Sequence, residues 1–203
     1  MRLISAPLAG CLLAAMVFAA RTHFPGWHQA AFLEEALLFM SGFLVGVRLP
    51  DFDLLLPGFS HRSAITHSCL AAFAAQMLGY PAIAGGLALG VALHLSSDLQ
   101  PKAWTGGALI KLPVMGSIGL LSPLWLIANI VGCFVVLFTT MEMEPKADQL
   151  AVLAVILLGG GWYFHQEEKK RLLPLVSLAF SLLLVHTLRD GRLTVQIVLQ
   201  YFV

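Results

Sequence analysis

The chain has 203 residues, of which 59% are hydrophobic and 11% are charged, and its mean hydropathy is +0.85. Too few polar side chains are present to cover a soluble globule of this size, so the composition predicts a single integral membrane domain over residues 1–203. The formal net charge of +1 provides neither a basic surface for nucleic acid nor an acidic tail for a cationic partner, and the expected partner is the lipid bilayer.

The first apolar stretch follows Met1 and Arg2 and continues to about residue 20. A secretory signal peptide has a similar arrangement, and residues 8–11 (Leu-Ala-Gly-Cys) match a lipoprotein-type cleavage box. Too few apolar residues precede that box for a signal peptide of this type. We therefore expect an uncleaved first span, with ordinary cleavage near Ala19 as the alternative.

Further apolar stretches predict an all-α fold, a polytopic transmembrane bundle of about six or seven spans. The stretches cover residues 3–20, 30–49, 66–79, 81–97, 118–140, 149–164 and 172–189. Gly79-Tyr80-Pro81 separates the third stretch from the fourth and predicts a tight helical hairpin. Residues 50–65 and 99–117 contain Pro and Gly among mixed polar residues, which predicts irregular loops beside that hairpin.

Basic residues are distributed unevenly between the two sides of such a bundle. With seven spans, eight lie on one side and four on the other. The eight are Arg2, Arg48, Arg62, Lys102, Lys111 and Lys169 to Arg171, and the four are Arg21, Lys146, Arg189 and Arg192. Because cytoplasmic loops carry the excess of Lys and Arg, we place the N-terminus and both polar loops at the cytoplasmic face of the plasma membrane.

Six ionisable side chains that could bind a metal lie between residues 51 and 98 of this apolar chain: Asp51, Asp53, His61, His67, His94 and Asp98. Such a group costs roughly 2.5–3.5 kcal/mol at mid-bilayer on insertion scales, so a cluster of them indicates a function. His94 and Asp98 are four residues apart at the end of a predicted helix and share one of its faces. His67 begins the preceding helix, which Thr66 is placed to cap, and the antiparallel hairpin brings His67 to the same membrane face.

Two further carboxylates precede the hairpin, in Asp51-Phe52-Asp53. Pro50 disfavours helix at the residue before it, and in an extended segment residues two apart point to the same side. Both carboxylates can then face one cavity together with the hairpin residues.

These side chains predict a metal site within a core of about residues 48–117. Imidazole and carboxylate ligands suit Zn, Mn or Fe, and a carboxylate-rich set can bind one or two divalent ions. The predicted ligands are Asp51, Asp53, His67, His94 and Asp98. His61 or an aspartate such as Asp53 is expected to transfer a proton, and Arg62, helped by Lys102 or Lys111, to bind an anionic substrate. The alternative is a buried polar network that pins the loop to the hairpin.

The same residues resemble a known family. Residues 49–53 (Leu-Pro-Asp-Phe-Asp), 61–68 (His-Arg-Ser-Ala-Ile-Thr-His-Ser) and 94–98 (His-Leu-Ser-Ser-Asp) are similar, in order, to the PDxD, HRxxTHS and HxxxD blocks of the YdjM-like family. Its members are described as LexA-regulated, membrane-bound metal-dependent hydrolases of the bacterial inner membrane. The resemblance covers about residues 40–125 and implies metal dependence without identifying a substrate. Leu54 stands where family members often have a histidine, so one possible ligand is absent.

The sequence therefore predicts a membrane-bound metal-dependent hydrolase that acts through a metal-activated water. A metal and basic side chains at headgroup depth favour a phosphoester or a lipid-linked anionic substrate. One alternative is a divalent metal transporter, which should carry polar groups along a path near mid-membrane. Another is a non-catalytic membrane protein with a structural metal or a polar network.

Overall fold

The structure is a computed structural model that describes residues 2–23, 31–55, 61–99, 109–112, 116–140, 146–167 and 172–189. Within these ranges the fold is all-α, as predicted, with seven helices. They are α1 (Arg2–His23), α2 (Ala31–Gly46), α3 (Leu70–Met77), α4 (Pro81–Asp98), α5 (Ser122–Thr140), α6 (Lys146–Glu167) and α7 (Leu172–Arg189). Two 3-10 helices (Pro50–Leu54 and Gly119–Leu121) and the two-residue strands β1 (Lys111–Leu112) and β2 (Gly116–Ser117) are also present.

Three helical segments among the described residues are long and apolar enough to cross a membrane. They are Ser5–His23, Gly119–Thr140 and Leu172–Arg189. In contrast, α3 has eight residues and a length of about 12 Å at 1.5 Å per residue. This is far below the roughly 30 Å of a hydrocarbon core, so the stretch predicted at residues 66–79 does not form a full crossing.

Helix α4 is the centre of the fold. It packs against α2, α3, α5 and α7, and twelve of its eighteen residues are buried. These twelve residues lie all around the helix rather than on one face, because neighbouring helices cover it on several sides. The ionisable residues of α4, His94 and Asp98, lie in its last turns, so the fold carries them to one end of the bundle.

Four glycines allow α2 and α4 to approach closely, and we call them the glycine seam: Gly42, Gly46, Gly86 and Gly90. A Cβ atom at Gly86 would overlap the carbonyl oxygen of Phe39, and one at Gly90 would lie 2.6 Å from the backbone nitrogen of Val47. On both helices the glycines are four residues apart, the spacing by which membrane helices bring their backbones together. The seam places the residues that follow α2 against the last turns of α4.

The predicted hairpin between α3 and α4 is present. Gly79 adopts a φ of +82°, which ends α3 at little steric cost, and Tyr80 N–H donates to the Ala75 carbonyl at 3.0 Å. Pro81 then occupies the first turn of α4, where its fixed φ suits a helix start and its missing N–H costs nothing.

The prediction of an extended segment at Asp51-Phe52-Asp53 is wrong, because residues 50–54 form a 3-10 helix. Leu49 is helical (φ −56°, ψ −41°) despite the proline after it, and Pro50 occupies the first turn. A proline suits that place for the reason given for α4. On a helical turn residues two apart diverge, so the two carboxylates approach the site from different directions.

Helix α3 begins at Leu70, and the prediction that Thr66 caps it is wrong. The N-cap is Cys69, which makes no side-chain capping bond. The Thr66 hydroxyl instead contacts the Ser63 carbonyl at 3.1 Å and Asp53 Oδ2 at 3.4 Å. Residues 61–69 therefore form a series of turns around the Asp53 carboxylate, and His67 lies in these turns.

Candidate metal centre

The seven predicted site side chains form one connected network. Neighbouring nitrogen and oxygen atoms in it are 3.1–3.7 Å apart. The order of contacts is His61, Asp53, His67, Asp98, His94 and Asp51, with Arg62 attached to Asp98. The 3-10 helix, the turns before α3 and the end of α4 thus converge at one end of the bundle.

His67, His94 and Asp98 form the group in the described chain that could hold a metal ion. One ligand atom from each lies within 4.8 Å of the other two. Asp98 Oδ2 lies 3.3 Å from His67 Nε2 and 3.7 Å from His94 Nε2. Two ligands about 2.1 Å from a tetrahedral zinc ion lie about 3.4 Å apart, so this spacing fits a metal.

Backbone carbonyls select the tautomer of both imidazoles. His94 Nδ1 lies 2.9 Å from the Val47 carbonyl, and His67 Nδ1 lies 3.2 Å from the Ser63 carbonyl. His67 Nδ1 also lies 3.1 Å from the Thr66 hydroxyl, which can donate or accept. A carbonyl oxygen only accepts hydrogen bonds, so the two carbonyls favour the tautomer with the hydrogen on Nδ1 and a lone pair on Nε2. This is the usual outer hydrogen bond of a metal-binding histidine, and it directs both Nε2 atoms toward Asp98.

Two atoms of this group are buried without a hydrogen-bond partner: His67 Nε2 and Asp98 Oδ2. Buried polar atoms in native proteins are nearly always paired, so two orphaned atoms 3.3 Å apart need an explanation. Lone pairs directed at a carboxylate repel it unless a cation or a proton lies between them. The donor set and the orphaned atoms therefore fit a divalent cation.

Asp98 is an anionic member of the group. Arg62 Nη2 lies 3.1 Å from Asp98 Oδ1, the oxygen that does not face the imidazoles. The adjacent guanidinium charge favours the ionised carboxylate, which is the form that binds a metal.

Asp53 lies on the other side of the His67 ring from Asp98. Its Oδ2 accepts a hydrogen bond from Ser63 N–H at 3.0 Å and lies 3.7 Å from His67 Nδ1. Its Oδ1 is buried and unpartnered, 3.5 Å from Nδ1 of the half-exposed His61. Asp53 therefore joins the ring of His67 to a second, solvent-accessible imidazole.

Asp51 borders the group through His94. Its Oδ1 lies 3.6 Å from His94 Nε2, and its Oδ2 lies 3.8 Å from Arg48 Nη1. Lys111 adjoins the site through its backbone, paired with Arg62 and Ala64. Lys102, the other lysine predicted to assist the substrate, lies outside the described residues.

Two residues of α5 support the site and were not predicted. Trp125 Nε1–H donates to the His67 carbonyl at 3.0 Å, and Asn129 Oδ1 accepts from Cys69 N–H at 3.0 Å. Asn129 is an amide within an apolar helix, and intramembrane polar residues commonly have a specific partner. That signal was available in the sequence, whereas an indole in an apolar span carries none.

No protein-family model, curated protein or solved structure matches the chain.

Proposed function

We propose that the protein is a membrane-bound metal-dependent hydrolase with a divalent cation bound by His67, His94 and Asp98. The convergence of two Nε2 lone pairs on one carboxylate carries this proposal. Two imidazoles and a carboxylate are the ligands of many catalytic zinc and non-haem iron sites. Structural zinc sites usually have four protein ligands, so a set of three supports a catalytic role.

A cation in this position would supply Lewis acidity and make a water molecule a competent nucleophile near neutral pH. The protein's own side chains supply the proton transfers. Asp53 faces Nδ1 of His61 and orients that ring, which leaves Nε2 of the exposed His61 to exchange protons with substrate or solvent. Asp51, beside His94, is placed as the further carboxylate that a second ion would need.

The proposed substrate is a phosphoester or another anion linked to a lipid. Three apolar helices and the basic side chain of Arg48, beside Asp51, support this class. The resemblance of residues 49–98 to the YdjM-like blocks supports the hydrolase assignment. We further propose that up to six segments, α3 not among them, cross the bacterial plasma membrane. The site would lie at the cytoplasmic face, since Arg48 and Arg62 lie beside it and basic residues are in excess at that face.

One observation favours a second candidate, a polar network without a metal. A proton on His67 Nε2 would also satisfy Asp98 Oδ2 across 3.3 Å. A transporter is less well supported, because the described residues of α5, α6 and α7 contribute no ligand to the metal-binding group. Metal analysis distinguishes a metal site from a polar network without a metal. Measurement of turnover then distinguishes a catalytic metal from a structural one.

The test compares the purified full-length protein with the His67→Ala/His94→Ala double variant. We expect one or two equivalents of Zn, Mn or Fe in the parent protein, loss of that metal in the variant, and hydrolysis of p-nitrophenyl phosphate or of phosphatidic acid in vesicles by the parent alone. Both proteins should remain in the membrane fraction. His165→Ala, an exposed histidine of α6, is the matched control. Equal metal content in parent and double variant would refute the assigned ligands.

A further inference from the structure

Arg62 has the left-handed backbone conformation, with a φ of +64°. Among the described residues it is the sole non-glycine residue with a positive φ. Residues with a Cβ atom are disfavoured in the left-handed conformation, whereas glycine is not. An arginine at such a position indicates that its side chain has a role that offsets the backbone strain.

Hydrogen bonds on both sides fix that conformation. The Arg62 carbonyl accepts from Lys111 N–H at 2.9 Å, and Ala64 N–H donates to the Lys111 carbonyl at 2.9 Å. Between them, Ser63 N–H donates to Asp53 Oδ2 at 3.0 Å. The backbone of Arg62 is thus held between β1 and the 3-10 helix, and its side chain leaves this position in a defined direction.

The guanidinium group meets Asp98. The Nη2–Oδ1 distance is 3.1 Å, and the two side chains are 14% and 15% exposed. A charge-assisted hydrogen bond with so little water around it strongly orients the carboxylate. With Oδ1 engaged, Oδ2 faces His67 Nε2 and His94 Nε2.

The structure assigns to Arg62 the role of a positioning residue, which holds Asp98 so that Oδ2 alone is presented to a divalent cation beside the two imidazoles. This assignment rests on the proposed metal site but differs from the sequence-based expectation that Arg62 binds the substrate. Without the guanidinium, Asp98 would rotate between side-chain conformers and would lose orientation as a ligand. Outer hydrogen bonds of this kind typically change metal affinity 10- to 100-fold.

Three substitutions in the full-length protein test the assignment: Arg62→Gly, Arg62→Ala and Arg62→Lys, with Arg21→Ala as control. Arg21 forms an ion pair with Glu34 at 3.5 Å, away from the predicted site residues, and its side chain is 55% exposed. The readouts are Zn²⁺ affinity by competition with a chromophoric chelator, the visible spectrum of the Co²⁺-loaded protein, and the melting temperature without metal.

We expect Arg62→Gly to weaken Zn²⁺ binding about 10- to 100-fold while the metal-free melting temperature stays equal or rises, because glycine accepts the left-handed conformation. Arg62→Ala should weaken binding equally and also lower the melting temperature. Arg62→Lys should recover part of the affinity, and the Co²⁺ spectrum should change in the glycine and alanine variants only.

Zn²⁺ binding by Arg62→Gly that is as tight as in the parent, or tighter, would overturn this assignment and leave the metal site intact. Tighter binding would identify Arg62 as a cation that competes with the metal for Asp98. A parent protein that binds no Zn²⁺, Co²⁺, Mn²⁺ or Fe²⁺ would overturn the proposed function, and the positioning role with it.

Discussion

At the scale of single residues, His94 shows how one hydrogen bond serves both the fold and the site. The Val47 carbonyl lies just beyond the end of α2, where backbone carbonyls lack intrahelical donors. His94 Nδ1–H donates to it at 2.9 Å and satisfies it. The same bond leaves Nε2 unprotonated and directed toward Asp98. The hydrogen bond that satisfies a carbonyl at the end of α2 therefore also orients the imidazole for metal binding.

Trp125 lies outside the ionisable network and supports the turn that carries His67, a role that one substitution can test. Its indole N–H donates to the His67 carbonyl, and Trp125→Phe would keep the aromatic packing while removing that donor. We expect a loss of about 0.5–1.5 kcal/mol of unfolding free energy, the usual contribution of one hydrogen bond. Metal affinity should fall several-fold, because the turn that carries His67 loses an anchor.

The measurements are thermal unfolding in detergent and Zn²⁺ competition. Trp162→Phe is the matched control, since Trp162 in α6 is 68% exposed and a change there should be close to neutral. An equal effect of both substitutions would show that the hydrogen bond to His67 contributes nothing specific.

At the scale of elements, helix positions were predictable and short irregular segments were not. Long apolar stretches bury enough surface to specify a helix whatever its neighbours, so each of the seven predicted stretches coincides with a described helix, although α3 covers only eight residues of the third. The 3-10 helix at Pro50–Leu54 and the late start of α3 depend on contacts distant in sequence. Ser63 N–H and the Thr66 hydroxyl both turn toward Asp53, and local propensity contains no information about that carboxylate.

The glycine seam is an element-scale feature that is visible in the sequence as two pairs of glycines four residues apart. Gly86 lies against the Phe39 carbonyl, so Gly86→Ala would force α2 and α4 apart. We expect a loss of about 1–3 kcal/mol of unfolding free energy, the usual cost of overpacking. Metal affinity should also fall, since His94 reaches the Val47 carbonyl across this contact.

The loss of unfolding free energy in Gly86→Ala is measured by unfolding in detergent, followed by circular dichroism. The control is Gly159→Ala in α6, where an added Cβ meets no atom within 4 Å and should raise stability by up to about 1 kcal/mol. If Gly86→Ala were as stable as the parent, the close approach of α2 and α4 would not be required.

At the scale of the whole molecule, the sequence predicted that the histidines and carboxylates of the site lie together, because the hairpin brings His67 toward the end of α4. It did not predict their order. Asp53 lies behind His67 rather than beside Asp98, and Arg62 contacts a carboxylate of the network. Those distinctions depend on the turns and on β1, which set the directions from which the side chains approach. The pairing of β1 with residues 62–64 joins positions 48 residues apart, Ser63 and Lys111.

The site joins otherwise separate parts of the chain, and this makes a prediction about the whole fold. It connects the segment after α2, the turns before α3 and the end of α4, and Trp125 extends the connection to α5. A ligand that binds only the folded state stabilises it by about 2.7 kcal/mol at a free concentration one hundred times its dissociation constant. We therefore expect Zn²⁺ to raise the melting temperature with a logarithmic dependence on its concentration, and a chelator to reverse the increase.

The His67→Ala/His94→Ala variant should show no such dependence, because the ions would have no common site to bind. If the parent's melting temperature were independent of Zn²⁺ and of chelator, the ion pairs would stabilise the end of the bundle by themselves. The buried Nε2 of His67 would then be satisfied by a proton shared with Asp98. In the metal-bound protein, by contrast, protons compete with the metal for its ligands, so acid should reduce the effect of Zn²⁺ on the melting temperature.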